Sequence, residues 1–309
     1  MKSIKCQYQY AINQNFREGM DKHSLKKMDT SHTNIYSYSE KFRLLDVANS
    51  LGTFIKNNFG EIRYIVDIQP QHIQAFLNSK QNCTQNTINS YIQSLKKLER
   101  VSNKCYGLAK NNLNQIVTPN VTKENSSRGA THPITREAYE KILSYSLNNP
   151  SKSGNALLLD YACSLSSNSN ISHAFRVEEL ARIKLENISL DGIITITNAK
   201  GGKTYQTHCP NVDFLKSIID KQYDPQGKFL FAISGASINK YLWRVCSKLD
   251  IGDKYSFHDI RRLHAQDFYD SKRNLGISPH NALLQTSLYL NHNSKREYML
   301  MASYLNNVW

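Results

Sequence analysis

The chain has 309 residues, 40% of them hydrophobic, enough to bury a core in each of two ordinary domains and too many for one small module. Lysine and arginine outnumber the acids 39 to 25, a formal charge of +14 and a pI near 9.4, which favours a polyanionic partner, nucleic acid or an anionic membrane surface, beside the plain alternative of a basic soluble protein. No apolar run approaches the roughly 20 residues of a membrane span, the first residues form no apolar signal segment, and the scattered Cys6, Cys83, Cys105, Cys163, Cys209 and Cys246 make no CxxC pair. A cytoplasmic protein with reduced thiols is expected, without a zinc site or a disulfide framework.

Residues 1–35 are polar and show little periodicity, so they read as an N-terminal extension. From about Tyr36, Phe42, Leu45, Val47, Leu51, Phe54 and Ile55 recur at helical steps. A second helix is expected over Gln71–Leu77. A third follows in TQNTINSYIQSLKKLERV, with Thr84 or Thr87 as cap and Ile88, Tyr91, Ile92, Leu95 and Leu98 as its stripe. The opposite face of that helix carries Lys96, Lys97 and Arg100, with Lys104 beyond, either a solvated face or a phosphate-binding one. TPNVTKENSSRGATHPIT, residues 118–135, is rich in Ser, Thr, Asn, Pro and Gly and reads as an interdomain linker, bounded at 118–134.

Helices are expected around 135–147 and 154–165, then a polar insert SSNSNISHA and a helix over about Phe175–Lys184. The next segment is a β signal. ISL, Asp191-Gly192 and IITIT suggest a hairpin with a type I′ turn, and Gly201-Gly202 marks a second tight turn before TYQTHCP. The layout is a helical domain over 36–117, a linker, and a mostly α C-terminal domain over 135–309 with a small antiparallel β-sheet.

In SFHDIRRLHAQDF, Ser256 and Asp259 form a capping-box start, which puts His258 and Arg261 one turn apart on one helix face. A histidine and a planar guanidinium near a helix N-terminus suit a phosphate, although HxxR alone is equally a capped surface helix. Arg176 opens the helix after the polar insert, with Glu179 on the same face to orient it. Lys200 ends a strand at the Gly201-Gly202 turn, where its ammonium can reach a ligand; Lys203 across the turn is its competitor.

The order of these pieces, Arg176 followed by ELxxIKxENI, a DG hairpin, a KGGK turn, HDIRR, Leu290-Asn291-His292 and a late tyrosine, resembles the tyrosine recombinase (phage integrase) family over most of residues 40–309. TINSYIQSLKKL also looks like that family's helical, SAM-like core-binding domain. The resemblance implies a core-binding domain at 36–117, a tyrosine-recombinase catalytic domain at 135–309, and a site-specific DNA recombinase or integrase of a mobile genetic element, working through a 3′-phosphotyrosyl intermediate. Arg176 and Arg261 would stabilise the pentacoordinate phosphorus, Lys200 would protonate the leaving 5′-oxygen, and His258 and His292 would bond the phosphate, His258 being the better placed to take the nucleophile's proton. The resemblance implies no cofactor or metal and no membrane. Its partners would be double-stranded DNA, bound by a tetramer on two duplexes, with room for accessory DNA-bending proteins. The alternatives are a catalytically inactive DNA-binding protein of the same fold, and a type IB topoisomerase, which uses similar residues.

The sequence departs from the family pattern at three places. Ala174-Phe175 replaces Gly-Leu, and Asn291 replaces the glycine of LGH, a mild change because Asn tolerates a left-handed backbone. The family's nucleophile lies nine residues after the histidine, where this chain has Met301; Tyr298 comes three residues early and Tyr304 three late. Ser294 and Glu297 suggest a capped helix to the chain end, with Met301, Tyr304, Leu305 and Val308 as its apolar stripe. MASYL resembles the family's ending and loops absorb insertions cheaply, so Tyr304 is favoured over Tyr298.

Overall fold

The computed structural model describes residues 3–17, 31–109, 112–123, 134–166, 174–200, 203–221, 224, 226–292, 297–306 and 308. It divides into two units, Met1–Ser126 and Ser127–Trp309.

The first unit opens with a helix where an irregular extension was expected. In α1 (Ile4–Asn15), Ser3 caps the N-terminus by accepting from the Cys6 N–H, and Ile4, Tyr8, Ala11 and Ile12 turn inward. Their spacing is helical; what concealed it is the polar run around so narrow a stripe. Helix α2 (Tyr38–Asn58), capped by Ser37, buries Leu44, Val47, Ala48, Leu51 and Ile55 and leaves Phe42 exposed, so its inner face is rotated from the expected one. Helix α3 (Pro70–Asn78) starts on Pro70, which has no N–H to leave orphaned. Helix α4 (Gln85–Tyr106) is capped by Thr84, as expected, and ends on Gly107 at φ 64°. One core joins Ile12, Leu44, Leu51, Ile55, Phe76, Leu95, Leu98 and Val101.

The basic face of α4 is partly engaged within the unit. Lys97 donates to the His32 and Asn34 carbonyls at 2.6 and 2.7 Å, and Lys104 donates to Thr33 Oγ1 at 3.0 Å, so these two ammonium groups hold residues 32–34 against the helix. Because α1 is integral to this core, Ile12→Ala should cost about 2–5 kcal/mol through the lost methylenes and the cavity left behind. Denaturant unfolding followed by circular dichroism checks this; an unchanged midpoint would mean that α1 is dispensable.

The second unit contains α5 (Arg136–Asn148), α6 (Lys152–Ser164), α7 (Val177–Ala181), β1 (Ile193–Ala199), β2 (Lys203–His208), α8 (Val212–Asp220), α9 (Gly235–Lys248), α10 (Phe257–Asn274), α11 (Pro279–Tyr289) and α12 (Glu297–Ser303). It is mostly helical, with a single two-stranded antiparallel sheet among the described residues. Helix α7 is shorter than the expected Phe175–Lys184 and gives way to a 3-10 turn at Leu185–Asn187. The sheet pairs Ile193 with His208 through Ile196 with Tyr205, then shifts register before Ala199 meets Lys203.

The longer hairpin thus joins β1 to β2 across residues 200–203, while ISL meets the start of β1 at the Ile188–Ile194 bridge, where the Ser189 N–H donates to the Ile193 carbonyl at 2.9 Å. At Asp191-Gly192 only the glycine has positive φ, 84°, so the turn is not type I′. A Cβ on Gly192 would run into the Cys209 carbonyl, because the Cys209 N–H closes on the Gly192 carbonyl at 2.9 Å. Residues 201–202 lie outside the described residues.

Two cores hold this unit. The larger joins α5, α6 and α9 to the inner side of the sheet through Tyr139, Ile142, Leu157, Leu159, Ile194, Ile196, Ile238 and Leu242. The smaller joins α10, α11 and α12 through Tyr269, Leu283, Tyr289, Leu300, Tyr304, Leu305 and Val308. Helix α12 ends at Ser303, short of the chain end where it was expected to run, and Tyr304 and Leu305 both donate their N–H to the Leu300 carbonyl at 2.9 and 3.1 Å. The chain beyond turns back onto α10: Tyr269 Oη donates to the Val308 carbonyl at 2.7 Å, and the Asn306 N–H donates to Gln266 Oε1 at 2.8 Å. The expected Ser294 cap lies outside the described residues.

Candidate active site

Helix α10 begins as its sequence requires. Asp259 Oδ2 accepts from both the N–H and the hydroxyl of Ser256 at 2.7 Å, and the Phe257 N–H donates to Asn239 Oδ1 at 2.8 Å. With its start anchored, the helix holds His258, Arg261 and Arg262 in defined directions.

Arg261 points into the protein and is only 2% exposed. One terminal nitrogen donates to the Ala174 carbonyl and the other to the Leu290 carbonyl, while Nε is buried with no partner among the described residues. Ala174 lies two residues before Arg176 and Leu290 two before His292, so this guanidinium ties together the chain segments that deliver both side chains. Asn291, between Leu290 and His292, stands at φ 51°, the left-handed backbone expected of it.

Arg176 precedes α7, and its side chain is bound by Glu179. The Glu179 carboxylate accepts from the Arg176 backbone N–H at 2.8 Å, Arg176 Nη1 at 2.9 Å, the Lys200 backbone N–H at 3.3 Å and Tyr205 Oη at 2.9 Å. Burial raises the Glu179 carboxyl, but the N–H, charge and guanidinium of Arg176 and the Tyr205 hydroxyl outweigh it and hold the group below the usual carboxylate range. The carboxylate therefore stays ionised as the shared acceptor.

Tyr304 lies between two imidazoles. Its ring centroid is 5.1 Å from His258 and 5.6 Å from His292, both edge-on, and the residue is 7% exposed. Tyr298, near the start of α12, is 82% exposed. Arg262 fixes the approach: Nε donates to the Ser303 carbonyl, the residue before Tyr304, at 2.8 Å, and Nη1 pairs with Asp259 at 2.9 Å.

Crowding by protein atoms, followed by the charges of Arg262 and Arg261, pulls the His258 pKa down from 6.5 to about 4; Asp259 opposes this and Lys200 adds to it. His258 as a whole is nonetheless an exposed residue, and the neighbouring cations act in the same direction as the crowding. At neutral pH His258 is a neutral acceptor. An unfolded His258 binds its proton near 6.5, so between 6.5 and about 4 the unfolded chain takes up a proton that the folded chain does not. The stability involved is fully present above 6.5 and is lost as pH falls toward 4. The thermal midpoint should therefore fall more steeply over this range in the wild type than in His258→Gln; parallel slopes would contradict the depressed value.

The six side chains singled out from sequence thus fall into one neighbourhood of the second unit. The Tyr304 ring contacts those of His258 and His292, Arg261 bridges the segments leading to Arg176 and His292, and the charge of Lys200 reaches His258. Lys203, the competitor of Lys200, is exposed on β2. Sequence reasoning missed Arg262 and Tyr205. Arg261-Arg262 carries no local sign of which guanidinium turns inward, whereas the strand alternation that buries Thr207 also turns Tyr205 inward and was there to be read. Among the described residues no group of His, Cys, Asp and Glu is arranged to hold a metal ion.

A helical first unit, followed by a mostly helical second with a small two-stranded sheet, is the fold of the tyrosine recombinases and integrases. Among solved structures, the Tn1549 transposon integrase in complex with transposon right end DNA superposes with a TM-score of 0.57 at 13% identity, covering 97% of this chain and 95% of that one. The XerH site-specific recombinase bound to a palindromic difH substrate gives 0.57 at 14% identity, covering 98% and 91%. A lambda integrase dimer bound to a COC′ core site gives 0.56 at 16%, covering 90% and 74%. No family model and no curated protein matches the sequence. No helix among the described residues is long and apolar enough to cross a membrane.

Proposed function

We propose that the chain is a site-specific DNA recombinase that cuts and rejoins strands through a phosphotyrosine formed on Tyr304. The observation that carries this is the Tyr304 ring held between His258 and His292, on a segment that Arg262 ties to the helix bearing Arg261. The Tyr304 oxygen attacks the scissile phosphorus and its proton passes to neutral His258. The bond from phosphorus to the 5′-oxygen breaks, and that oxygen takes a proton from Lys200. The reverse reaction, with the 5′-hydroxyl of a partner duplex as attacking group, joins the exchanged strands and frees the tyrosine.

Negative charge grows on the non-bridging oxygens during each step. Arg176 and the unpartnered Nε of Arg261 are the donors assigned to it, each worth a few kcal/mol in about the usual range for a preorganised site. The energy of the broken ester is conserved in the phosphotyrosine, so neither a nucleotide nor a metal is required. The first unit acts as the DNA-holding domain, with Lys96 and Arg100 left to face phosphates once Lys97 and Lys104 are assigned to structure. Four copies on two duplexes follow from the exchange of four strands, with DNA-bending proteins as possible accessories.

Salt dependence tests the partner. If the +14 charge serves DNA through six or more phosphate contacts, affinity for a duplex should fall on the order of 10³-fold or more between about 50 and 200 mM salt. A flat response would remove duplex DNA as the partner.

A further inference from the structure

We propose that Tyr205 is a positioning residue that, through Glu179, holds the end of the β1–β2 hairpin so that Lys200 meets the leaving oxygen. This rests on the role given to Lys200 above. The hairpin has only two strands, and such ribbons are marginal by themselves. Its ladder is regular from Ile193–His208 to Ile196–Tyr205 and then shifts register before Ala199–Lys203. Tyr205 is therefore the last residue paired in the regular register; across the irregularity only the Ala199–Lys203 pair remains to place the lysine, and such a break loosens the ladder locally.

What ties the two sides of that break together is the Glu179 carboxylate of α7. It accepts from Tyr205 Oη at 2.9 Å on one oxygen and from the Lys200 backbone N–H at 3.3 Å on the other, while the same two oxygens bind Arg176. Glu179 is only 8% exposed, so water competes weakly for these bonds. Burial, and then the Glu179 charge, hold the Tyr205 phenol well above its usual range, which keeps it protonated as a donor. The strand carrying Tyr205 and the turn carrying Lys200 are thus fastened to the residue that orients Arg176, so that the proton donor and the charge stabiliser share one anchor.

Tyr205→Phe removes the hydroxyl and keeps the ring, leaving three donors on Glu179 to preserve the fold; circular dichroism checks this. The test compares two duplexes selected for binding from a random-sequence pool: one with the ordinary 5′-bridging oxygen at the scissile phosphate, the other with sulfur in its place. A thiolate leaves without being protonated, so the sulfur substrate does not need Lys200. On oxygen DNA, Tyr205→Phe should cleave roughly 10- to 100-fold more slowly than wild type, as for a catalytic group displaced by about an ångström, with affinity unchanged. On sulfur DNA it should recover to the wild-type rate, and Lys200→Ala should behave alike with a larger defect. An equal defect of Tyr205→Phe on both substrates, or none on either, overturns the proposal. If Lys200→Ala itself is not restored by sulfur, the role of Lys200 has failed, an outcome distinct from failure of Tyr205→Phe alone.

Discussion

Tyr304→Phe should abolish the detergent-stable adduct between protein and cleaved DNA while leaving DNA affinity within about twofold, whereas Tyr298→Phe should form adduct at the wild-type rate. The difference follows from position. Tyr304 lies 5.1 and 5.6 Å, ring to ring, from two imidazoles, one of them neutral at pH 7, and Tyr298, near the start of α12, is 82% exposed. Removing the only atom able to bond phosphorus is not a partial defect, so the expected loss is to the background of the assay. Adduct formed by Tyr304→Phe but not by Tyr298→Phe would move the nucleophile to Tyr298.

The second large effect is at Arg261, whose substitution should act on both stability and chemistry. Arg261→Ala leaves the buried carbonyls of Ala174 and Leu290 without a donor, and two such losses cost on the order of 2–6 kcal/mol together. The thermal midpoint should drop well below that of wild type, and cleavage should be lost along with the alignment of Arg176 and His292. Arg261→Lys separates the two roles, since an ammonium can satisfy a carbonyl but cannot bridge both and still direct an Nε at phosphate. It should retain most of the stability and the DNA affinity and still lose about 10²- to 10³-fold in cleavage, the usual cost of one preorganised donor. Equal stability of Arg261→Ala and wild type would contradict the bridging role.

How much of this was legible in the sequence depended on whether the cause was local. The start of α10 was readable because Ser256 and Asp259 satisfy each other across a single turn, and Asn291 because its left-handed backbone is a property of one residue. The small sheet and its turn before TYQTHCP were foreseen, but the weight of the two turns was not: Asp191-Gly192 is a strong hairpin signal locally, yet the longer ladder runs across residues 200–203. The pairing of β1 with β2 buries Ile194, Ile196 and Thr207, a gain the dipeptide cannot reveal.

The failures were long-range. Helix α1 was hidden because Ile4, Tyr8, Ala11 and Ile12 gain from burial only against α2 and α4, more than 20 residues away. Lys97 and Lys104 read as a face that is either solvated or phosphate-binding, and neither reading shows that residues 32–34, over 60 positions distant in the chain, lie across the helix. Arg261 was read as part of a phosphate grip, but nothing in HDIRR announces that its terminal nitrogens also bind carbonyls 87 and 29 residues away. The family spacing pointed at Met301, which is half-buried against the small core; the chain turns at Tyr304 after α12 ends, and that turn brings the tyrosine to the histidines.

The most direct measurement is to incubate the wild-type protein with a duplex that it binds, nicked at successive positions so that the cleaved end is lost and rejoining is blocked, then digest the product with nuclease and protease and sequence the nucleotide-bearing peptide by mass spectrometry. The predicted result is a 3′-phosphate esterified to Tyr304. DNA bound tightly and specifically but never joined to the protein, at any nick position, would contradict strand transfer and leave a DNA-binding protein with a recombinase fold.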